Sequence, residues 1–173
     1  SRVVNTNLNS RYKLGKLQRI VVLAYYDTYD RRVQLDASRH RHKDAESLQQ
    51  SARWNGAIYL AGYAIECSLK ALVCYGEHKN NLKDTVLFKR GVQGAALHNL
   101  WSLYEATPLS FRNAVEKGDR THTLKNAWIT IITLWQKDHL RYAHKLGNET
   151  ECKRFLEAVK VFHTFILHHQ EAG

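Results

Sequence analysis

The sequence predicts an all-α protein, an up-and-down bundle of about five helices. Pro108 is the only proline among 173 residues, whereas folds built from many short strands and turns use this residue more often. Small and apolar side chains recur at helical spacing through a long stretch without proline, residues 44–75. Apolar residues make up 44% of the chain, enough for one core, so we expect residues 14–173 to form a single domain.

Two helices are predicted in the first half of the chain. Residues 1–13 are polar and unpatterned, which is typical of a loose arm. Apolar residues at helical spacing predict a helix over residues 14–35, and the polar and basic residues that follow predict a loop over residues 36–43. The long second helix covers residues 44–75, with Gly76 as its C-terminal cap.

Shorter helices are predicted in the second half. Residues 76–96 contain three glycines and several basic residues, which predicts a long loop or insertion with one short helix near residues 86–88. Residues 129–133 are β-branched, but the length of their segment and its lack of turn residues favour a helix. Thr150 can cap the last helix. The main helices of this half are predicted at residues 97–106, 110–117, 124–140 and 151–169.

The net charge of +10 is concentrated in the first quarter of the chain. Residues 1–43 carry ten Lys or Arg and three Asp or Glu, and they end in the basic cluster RHRHK at residues 39–43. Such a concentration of positive charge attracts polyanions such as RNA. A solvated basic arm and loop would have the same composition, so both interpretations stay open.

The cysteines and the hydropathy predict a cytoplasmic protein. Cys67 and Cys74 lie in one predicted helix, separated by about 10 Å along its axis, too far for a disulfide without backbone movement. With Cys152 the number of cysteines is odd, so reduced thiols are expected. No apolar run is expected to reach the length of about 18–20 residues that a membrane helix needs, and no signal-peptide pattern opens the chain, so no membrane association is expected.

Motifs for metals and common cofactors are missing from the sequence. There is no HExxH, no paired cysteine spacing, no Walker loop, no GxGxxG and no GxSxG, so we predict neither a metal nor a cofactor. One remaining cluster could carry chemistry: Arg141 and Tyr142 lie with His139 and His144 just after Trp135. An imidazole can move the 2′-hydroxyl proton of RNA while a guanidinium stabilises the phosphorane. An Arg-Tyr pair at a helix end can also be purely structural.

Three segments together carry a family resemblance. Residues 57–72 read AIYLAGYAIECSLKAL, residues 98–103 read HNLWSL, and residues 135–142 read WQKDHLRY and are followed by an amphipathic helix. In this order and spacing they resemble the second helix, the His-Asp/Asn-Leu element and the C-terminal third of HEPN domains (higher eukaryotes and prokaryotes nucleotide-binding). The resemblance covers about residues 50–168.

This resemblance implies an all-α bundle that forms homodimers. Many HEPN proteins are metal-independent RNases of toxin–antitoxin or defence systems, and others bind nucleotides or pair with small nucleotidyltransferases without cutting RNA. The RNase branch carries an Arg followed, after four to six residues, by a His. No Arg in this chain has that spacing, and only two residues separate Arg141 from His144. The chain is therefore predicted not to be a competent nuclease.

Transferred by position, the resemblance implies a ligand-binding site of five residues: Glu66, Lys70, His98, Arg141 and Tyr142. Glu66 and Lys70 lie one helical turn apart and can equally form a stabilising ion pair. His98 can equally be a hydrogen-bonded residue of the bundle. Tyr59 and Tyr63 are predicted to pack in the bundle rather than to stack on bases.

The predicted function is binding of RNA or a nucleotide, or of a partner protein in a toxin–antitoxin or defence-like system, such as an antitoxin or a nucleotidyltransferase. One alternative is a metal-independent endoribonuclease that uses Arg141 and His144. A second alternative is a purely structural dimerisation domain, because exposed aromatic residues anchor interfaces. One small core cannot easily bury all four tryptophans, which are Trp54, Trp101, Trp128 and Trp135.

Overall fold

The computed structural model describes residues 27–118, 120–142 and 147–171. Within these ranges the chain forms eight α-helices and no β-strand, which confirms the predicted all-α bundle. The predicted loose arm, 1–13, and part of the predicted first helix, 14–26, lie outside the described residues. The helices are α1 (Arg31–Gln50), α2 (Trp54–Gly76), α3 (Val86–Lys89), α4 (Leu100–Glu105), α5 (Leu109–Lys117), α6 (Thr123–Leu134), α7 (Lys137–Tyr142) and α8 (Glu149–Glu171).

Helix α1 contains the basic cluster that was expected to form a loop. The Asp30 side chain caps the helix by accepting hydrogen bonds from the backbone N–H groups of Arg32 and Val33. The predicted loop over residues 36–43 is wrong, because these residues lie in the middle of α1. Ser38 is fully buried there, so packing of one face against the core keeps the basic stretch helical.

A turn between α1 and α2 interrupts the helix predicted over residues 44–75. The chain reverses at residues 51–53, where Ala52 has a left-handed φ of 56°. Helices α1 and α2 then pack against each other, and small residues such as Ala45 and Ala57 are fully buried. Packing the two helices against each other stabilises the protein more than one continuous helix would. Sequence periodicity does not report contacts between helices, so it could not predict this turn.

Helix α2 is the centre of the bundle. It packs against α1, α4, α7 and α8, and its residues Ile65, Leu69 and Leu72 are fully buried. By length and composition it could cross a membrane, with a mean hydropathy of 1.4, which corrects the expectation that no segment is long and apolar enough. Within the bundle, 78% of that window is buried, as in the core helix of a folded domain.

The connection between α2 and α4, residues 77–99, returns to α2 near its end. Two 3-10 turns, Leu82–Asp84 and Gly94–His98, flank α3, which is the short helix predicted there. The Leu82 N–H donates to the Tyr29 carbonyl oxygen at 2.9 Å and so joins the connection to the start of α1. Leu97 is only 4% exposed, and its burial holds the second turn in place, so that His98 lies beside α2.

Helix α6 ends earlier than predicted. Instead of one helix over residues 124–140, the chain leaves the helix after Leu134 and starts α7 two residues later. The cause is Trp135, whose ring lies over Gly62 and whose Nε1 donates to the Tyr59 carbonyl oxygen at 3.1 Å. The β-branched residues before this break are helical, as their segment length predicted.

Helix α8 closes the bundle. Its N-terminal cap is Asn148 and not Thr150, because the Asn148 side chain accepts a hydrogen bond from the Thr150 N–H at 2.8 Å. Phe155 and Phe162 of α8 are fully buried, and Phe162 stacks on Trp128 of α6 with ring centroids 5.3 Å apart. The core therefore lies between α2, α6 and α8.

Replacing Gly62 by alanine should displace Trp135 from α2. The added methyl carbon would lie 1.9 Å from the indole nitrogen, so the ring must move. We expect the free energy of unfolding, measured with urea, to fall by about 1–3 kcal/mol. Gly56→Ala is the matched control, because its methyl would meet the flexible end of Leu48 at 3.2 Å. Equal stability of the two variants would contradict the required close approach.

Candidate functional site

A buried carboxylate, Glu66, is the centre of the candidate site. Its side chain, on α2, is 2% exposed, and its Oε1 accepts hydrogen bonds from Lys70 Nζ and His98 Nδ1, both at 2.7 Å. The Lys70 contact follows from helical spacing. The His98 contact joins residues 32 positions apart, because the turn Gly94–His98 lies against α2. The structure thus brings together three of the five predicted ligand-binding residues.

Lys137 is a further member of this cluster, which no sequence motif indicated. Its Nζ donates to the His98 carbonyl oxygen at 2.6 Å and lies 4.0 Å from Glu66 Oε2. Oε2 accepts no hydrogen bond from the described residues. Burial lowers the pKa of Lys137, and the nearby carboxylate of Glu66 opposes that shift. The spacing of Lys137 and Arg141, one turn apart on a short helix, is the signal that could have found it.

The orientation of His98 is set by the buried carboxylate. An ionised carboxylate only accepts hydrogen bonds, so Nδ1 of His98 is the donor to Glu66. In the neutral imidazole the lone pair is then on Nε2, at the opposite side of the ring. The His98 side chain is 45% exposed, whereas the side chain of its partner Glu66 is 2% exposed.

Arg141 is connected to this cluster through two tyrosines. Its Nε and Nη2 donate to the Tyr59 hydroxyl at 3.2 and 3.1 Å, and the hydroxyls of Tyr59 and Tyr63 share a 3.4 Å hydrogen bond. The Tyr63 ring lies edge-on to Trp135, with centroids 5.4 Å apart, and 6.5 Å from the His98 ring. Burial raises the pKa of Tyr63 to about 12, so its hydroxyl stays neutral. Tyr63 therefore packs against the core, and the Tyr59 hydroxyl holds Arg141.

Of the other predicted residues, Tyr142 is peripheral and His144 of the nuclease alternative lies outside the described residues. Tyr142 is 69% exposed, and its ring centroid lies 5.8 Å from the Arg141 guanidinium carbon. His144, the partner of Arg141 in the nuclease alternative, lies outside the described residues. The Arg141–His144 pairing therefore stays a prediction.

An open cavity of about 430 Å³ lies beside the cluster. His98 and Lys137 border it, together with Trp101, Ile132 and Trp135. The Trp101 side is accessible, since that residue is 51% exposed, whereas Trp135 is 6% exposed and forms a fixed wall. The volume falls within the range of about 300–1,000 Å³ that small-molecule sites occupy.

The charges of the site favour an anion. Lys70 and Lys137 surround the single carboxylate of Glu66, and Arg141 lies nearby on α7, with Asp138 as an exposed acidic neighbour. Within the described ranges, Arg141 forms no salt bridge with a carboxylate. The positive charges of these side chains therefore exceed the negative charge of Glu66, so the site can bind a phosphate group.

The same residues do not form a metal site. Across the described parts of the chain, no group of three or more His, Cys, Asp or Glu side chains could hold a metal ion. The three cysteines are free thiols, as predicted. Burial raises the pKa of Cys67 to about 11 and that of Cys74 to about 12, so neither is a ready nucleophile.

Comparisons with known proteins identify no relative. No protein-family model matches the chain, and neither a curated protein nor a solved structure matches it significantly. The HEPN resemblance therefore depends on the three sequence segments that carry it, and it remains a prediction.

Proposed function

We propose that the chain is a HEPN-like helical module that binds single-stranded RNA or a nucleotide at the cavity beside Glu66. One observation carries this proposal: a lysine, an imidazole and an exposed indole border the same open cavity, namely Lys137, His98 and Trp101. Cations attract phosphate, and flat aromatic rings stack on bases. Single-stranded nucleic acid presents both groups along its length.

The phosphate would contact the cations of α7. Lys70 is 9% exposed and bonded to Glu66, so its charge mainly compensates that carboxylate. Lys137 is 25% exposed and Arg141 lies on the surface one turn further along the helix. Because these two side chains lie on neighbouring turns, they can contact one phosphate or two successive ones.

The base would stack on Trp101. This ring lies over Trp128 with centroids 6.3 Å apart and an interplanar angle of 22°, so its inner face is supported. Trp101 also borders the cavity that Lys137 borders. Base–aromatic stacking contributes about 1–3 kcal/mol per base and tolerates any sequence.

Removal of Lys137 or Arg141 should weaken RNA binding. We expect Lys137→Ala and Arg141→Ala each to reduce the affinity for a fluorescein-labelled single-stranded RNA of about twelve nucleotides roughly tenfold, because each loses a charged contact. Fluorescence polarisation between about 50 and 200 mM salt would measure it, and the slope of log affinity against log salt should decrease by about one for each lost phosphate contact.

The matched control for this measurement is Lys153→Ala. Lys153 is 60% exposed on α8, pairs with Glu149 and borders a different cavity. Its removal should change affinity much less than removal of Lys137, although it changes the net charge equally. Equal losses in all three variants would mean diffuse attraction to a basic protein and would contradict a local site.

The predicted homodimer remains a second candidate, and one observation favours it. The exposed side chains of Trp101, Ile129 and Ile132 lie on α4 and α6, and two of them border the cavity. A second copy or another partner protein, such as an antitoxin or a nucleotidyltransferase, could cover this apolar surface. Sedimentation equilibrium at high concentration tests the dimer, and a strict monomer would exclude it.

A further inference from the structure

The amine of Lys137 is held between fixed parts of the protein and an open cavity. The side chain is 25% exposed, its Nζ donates to the His98 carbonyl oxygen at 2.6 Å, and Nζ lies 5.0 Å from the centre of the Trp135 ring. The residue also borders the cavity of about 430 Å³. A small molecule in this cavity can therefore reach an amine whose position is restricted by its neighbours.

The surroundings of Lys137 favour the neutral form of its amine. Burial lowers the pKa of Lys137, and the positive charges of Lys70 and Arg141 act in the same direction, whereas the carboxylates of Glu66 and Asp138 oppose the shift. A lysine attacks a carbonyl carbon only as the neutral amine. The lowered pKa therefore increases the fraction of Lys137 that can react.

The cations of the site can bring one class of electrophile to this amine. His98 and Lys137 border the cavity, and Arg141 lies one helical turn further along α7. An acyl phosphate, such as acetyl phosphate, carries its reactive carbonyl carbon one oxygen atom away from the phosphorus. A phosphate group that these cations attract would place that carbon near Nζ of Lys137, and such proximity accelerates a reaction.

We propose that Lys137 is a modification site at which acyl phosphates acylate the protein, and that this modification weakens RNA binding at the cavity. The modification does not depend on RNA, and only its effect on binding rests on the proposed function. Acetylation removes the positive charge of a lysine. It would therefore remove one of the two cations that we assign to the RNA phosphates.

The reaction needs no reagent besides the acyl phosphate. The neutral Nζ attacks the carbonyl carbon, and a nitrogen–carbon bond forms. The bond between that carbon and the phosphate oxygen breaks, and the leaving phosphate keeps the electron pair. The nitrogen loses one proton to solvent, so the products are an acetylated lysine and inorganic phosphate.

The test is incubation of the parent chain with acetyl phosphate, followed by proteolysis and mass spectrometry of each lysine. Lys153 is the matched control within the same chain, because it is 60% exposed and its hydrogen bond to Glu149 raises its pKa. Exposure alone would make Lys153 the faster of the two to react. We expect Lys137 to be acetylated about threefold faster or more.

Two further measurements test whether the phosphate group guides the reaction. The N-hydroxysuccinimide ester of acetic acid has no phosphate, so it should prefer Lys137 over Lys153 less than acetyl phosphate does. Added inorganic phosphate should slow the reaction of acetyl phosphate with Lys137 and leave that with Lys153 unchanged. Equal preference with both reagents would overturn guidance by the phosphate, and a rate at Lys153 equal to that at Lys137 would overturn the site.

Fluorescence polarisation with the labelled RNA tests the effect on binding. Treatment with acetyl phosphate should lower the RNA affinity of the parent chain roughly tenfold, because a charged contact is lost. Lys137→Arg cannot be acetylated at this position, so the same treatment should change its affinity much less. Equal losses in both chains would overturn the effect on binding. If the untreated parent chain does not bind RNA, the proposed function fails, whereas the mass spectra still decide the modification site.

Discussion

Replacing Glu66 by leucine should lower the free energy of unfolding by about 3–5 kcal/mol. The side chain of Lys70 is 9% exposed, and within the described residues its only salt bridge is to Glu66 at 2.7 Å. Without the carboxylate, a charged ammonium would remain buried without a partner, which is far more unfavourable than loss of an exposed ion pair.

Replacing Lys70 by methionine should lower the free energy of unfolding less than replacing Glu66 by leucine. In Lys70→Met the Glu66 carboxylate keeps His98 at 2.7 Å and Lys137 at 4.0 Å, so it is not left alone. The double variant Glu66→Leu/Lys70→Met should recover most of the stability lost in Glu66→Leu, because no buried charge remains unpaired. This order of stabilities distinguishes an unpaired buried charge from simple loss of packing.

Urea unfolding followed by far-UV circular dichroism measures all three variants. A double-mutant cycle then gives the coupling energy between Glu66 and Lys70. If Glu66→Leu were within about 0.5 kcal/mol of the parent, the pair would not be buried as the structure has it. If the double variant were less stable than Glu66→Leu, the buried-charge explanation would be wrong.

Acidification should weaken the fold through His163, by about 3 kcal/mol between pH 6.5 and pH 4. His163 of α8 is 4% exposed, its Nε2 lies 3.0 Å from the Ser38 hydroxyl of α1, and the His42 ring centroid is 5.2 Å away. Burial lowers the pKa of His163 from 6.5 to about 4, and the positive neighbours His42 and Arg39 act in the same direction.

The sign follows from which state binds the proton. In the unfolded chain His163 takes up a proton as the pH falls through 6.5, but in the folded protein only near pH 4. Within this window the unfolded state binds more protons, so the free energy of unfolding decreases as the pH falls. Above pH 6.5 the contribution of His163 is constant and fully present.

Urea unfolding at several pH values between these limits tests this effect. His163→Gln, which keeps a hydrogen-bonding group for Ser38, should show a flatter dependence of stability on pH than the parent. His40→Gln, which removes an exposed histidine of the same bundle, should keep the dependence of the parent. Identical profiles for the parent and His163→Gln would contradict the burial of a neutral imidazole between α1 and α8.

The positions at which helices begin and end were not predictable from local sequence at two places. Residues 36–43 are polar and basic, and nothing in their local pattern indicates that Ser38 is buried against α8. The break at Trp135 likewise depends on a distant partner, because the ring fits against α2 only where Gly62 has no side chain. Both features arise from contacts between helices, whereas periodicity shows only which face of a single helix is apolar and which is polar.

In the candidate site, too, the contact within one helix was predictable from the sequence and the contacts between segments were not. Glu66 and Lys70 were predictable as a pair, since four residues along a helix place two side chains on one face. Lys137 belongs to no motif, although it lies one helical turn before Arg141, which is the local signal for it. The resemblance implies a ligand-binding role for His98, but nothing in the sequence indicates that its ring is bonded to a carboxylate 32 positions earlier.

The sequence by itself therefore determined the all-α class and the Glu66–Lys70 pair, because helical spacing is a local property of consecutive residues. Only the tertiary structure decided that His98 and Lys137 join that pair beside an open cavity. The physical reason is that a contact between distant segments depends on how the helices pack, and packing is set by the shapes of all the buried side chains together.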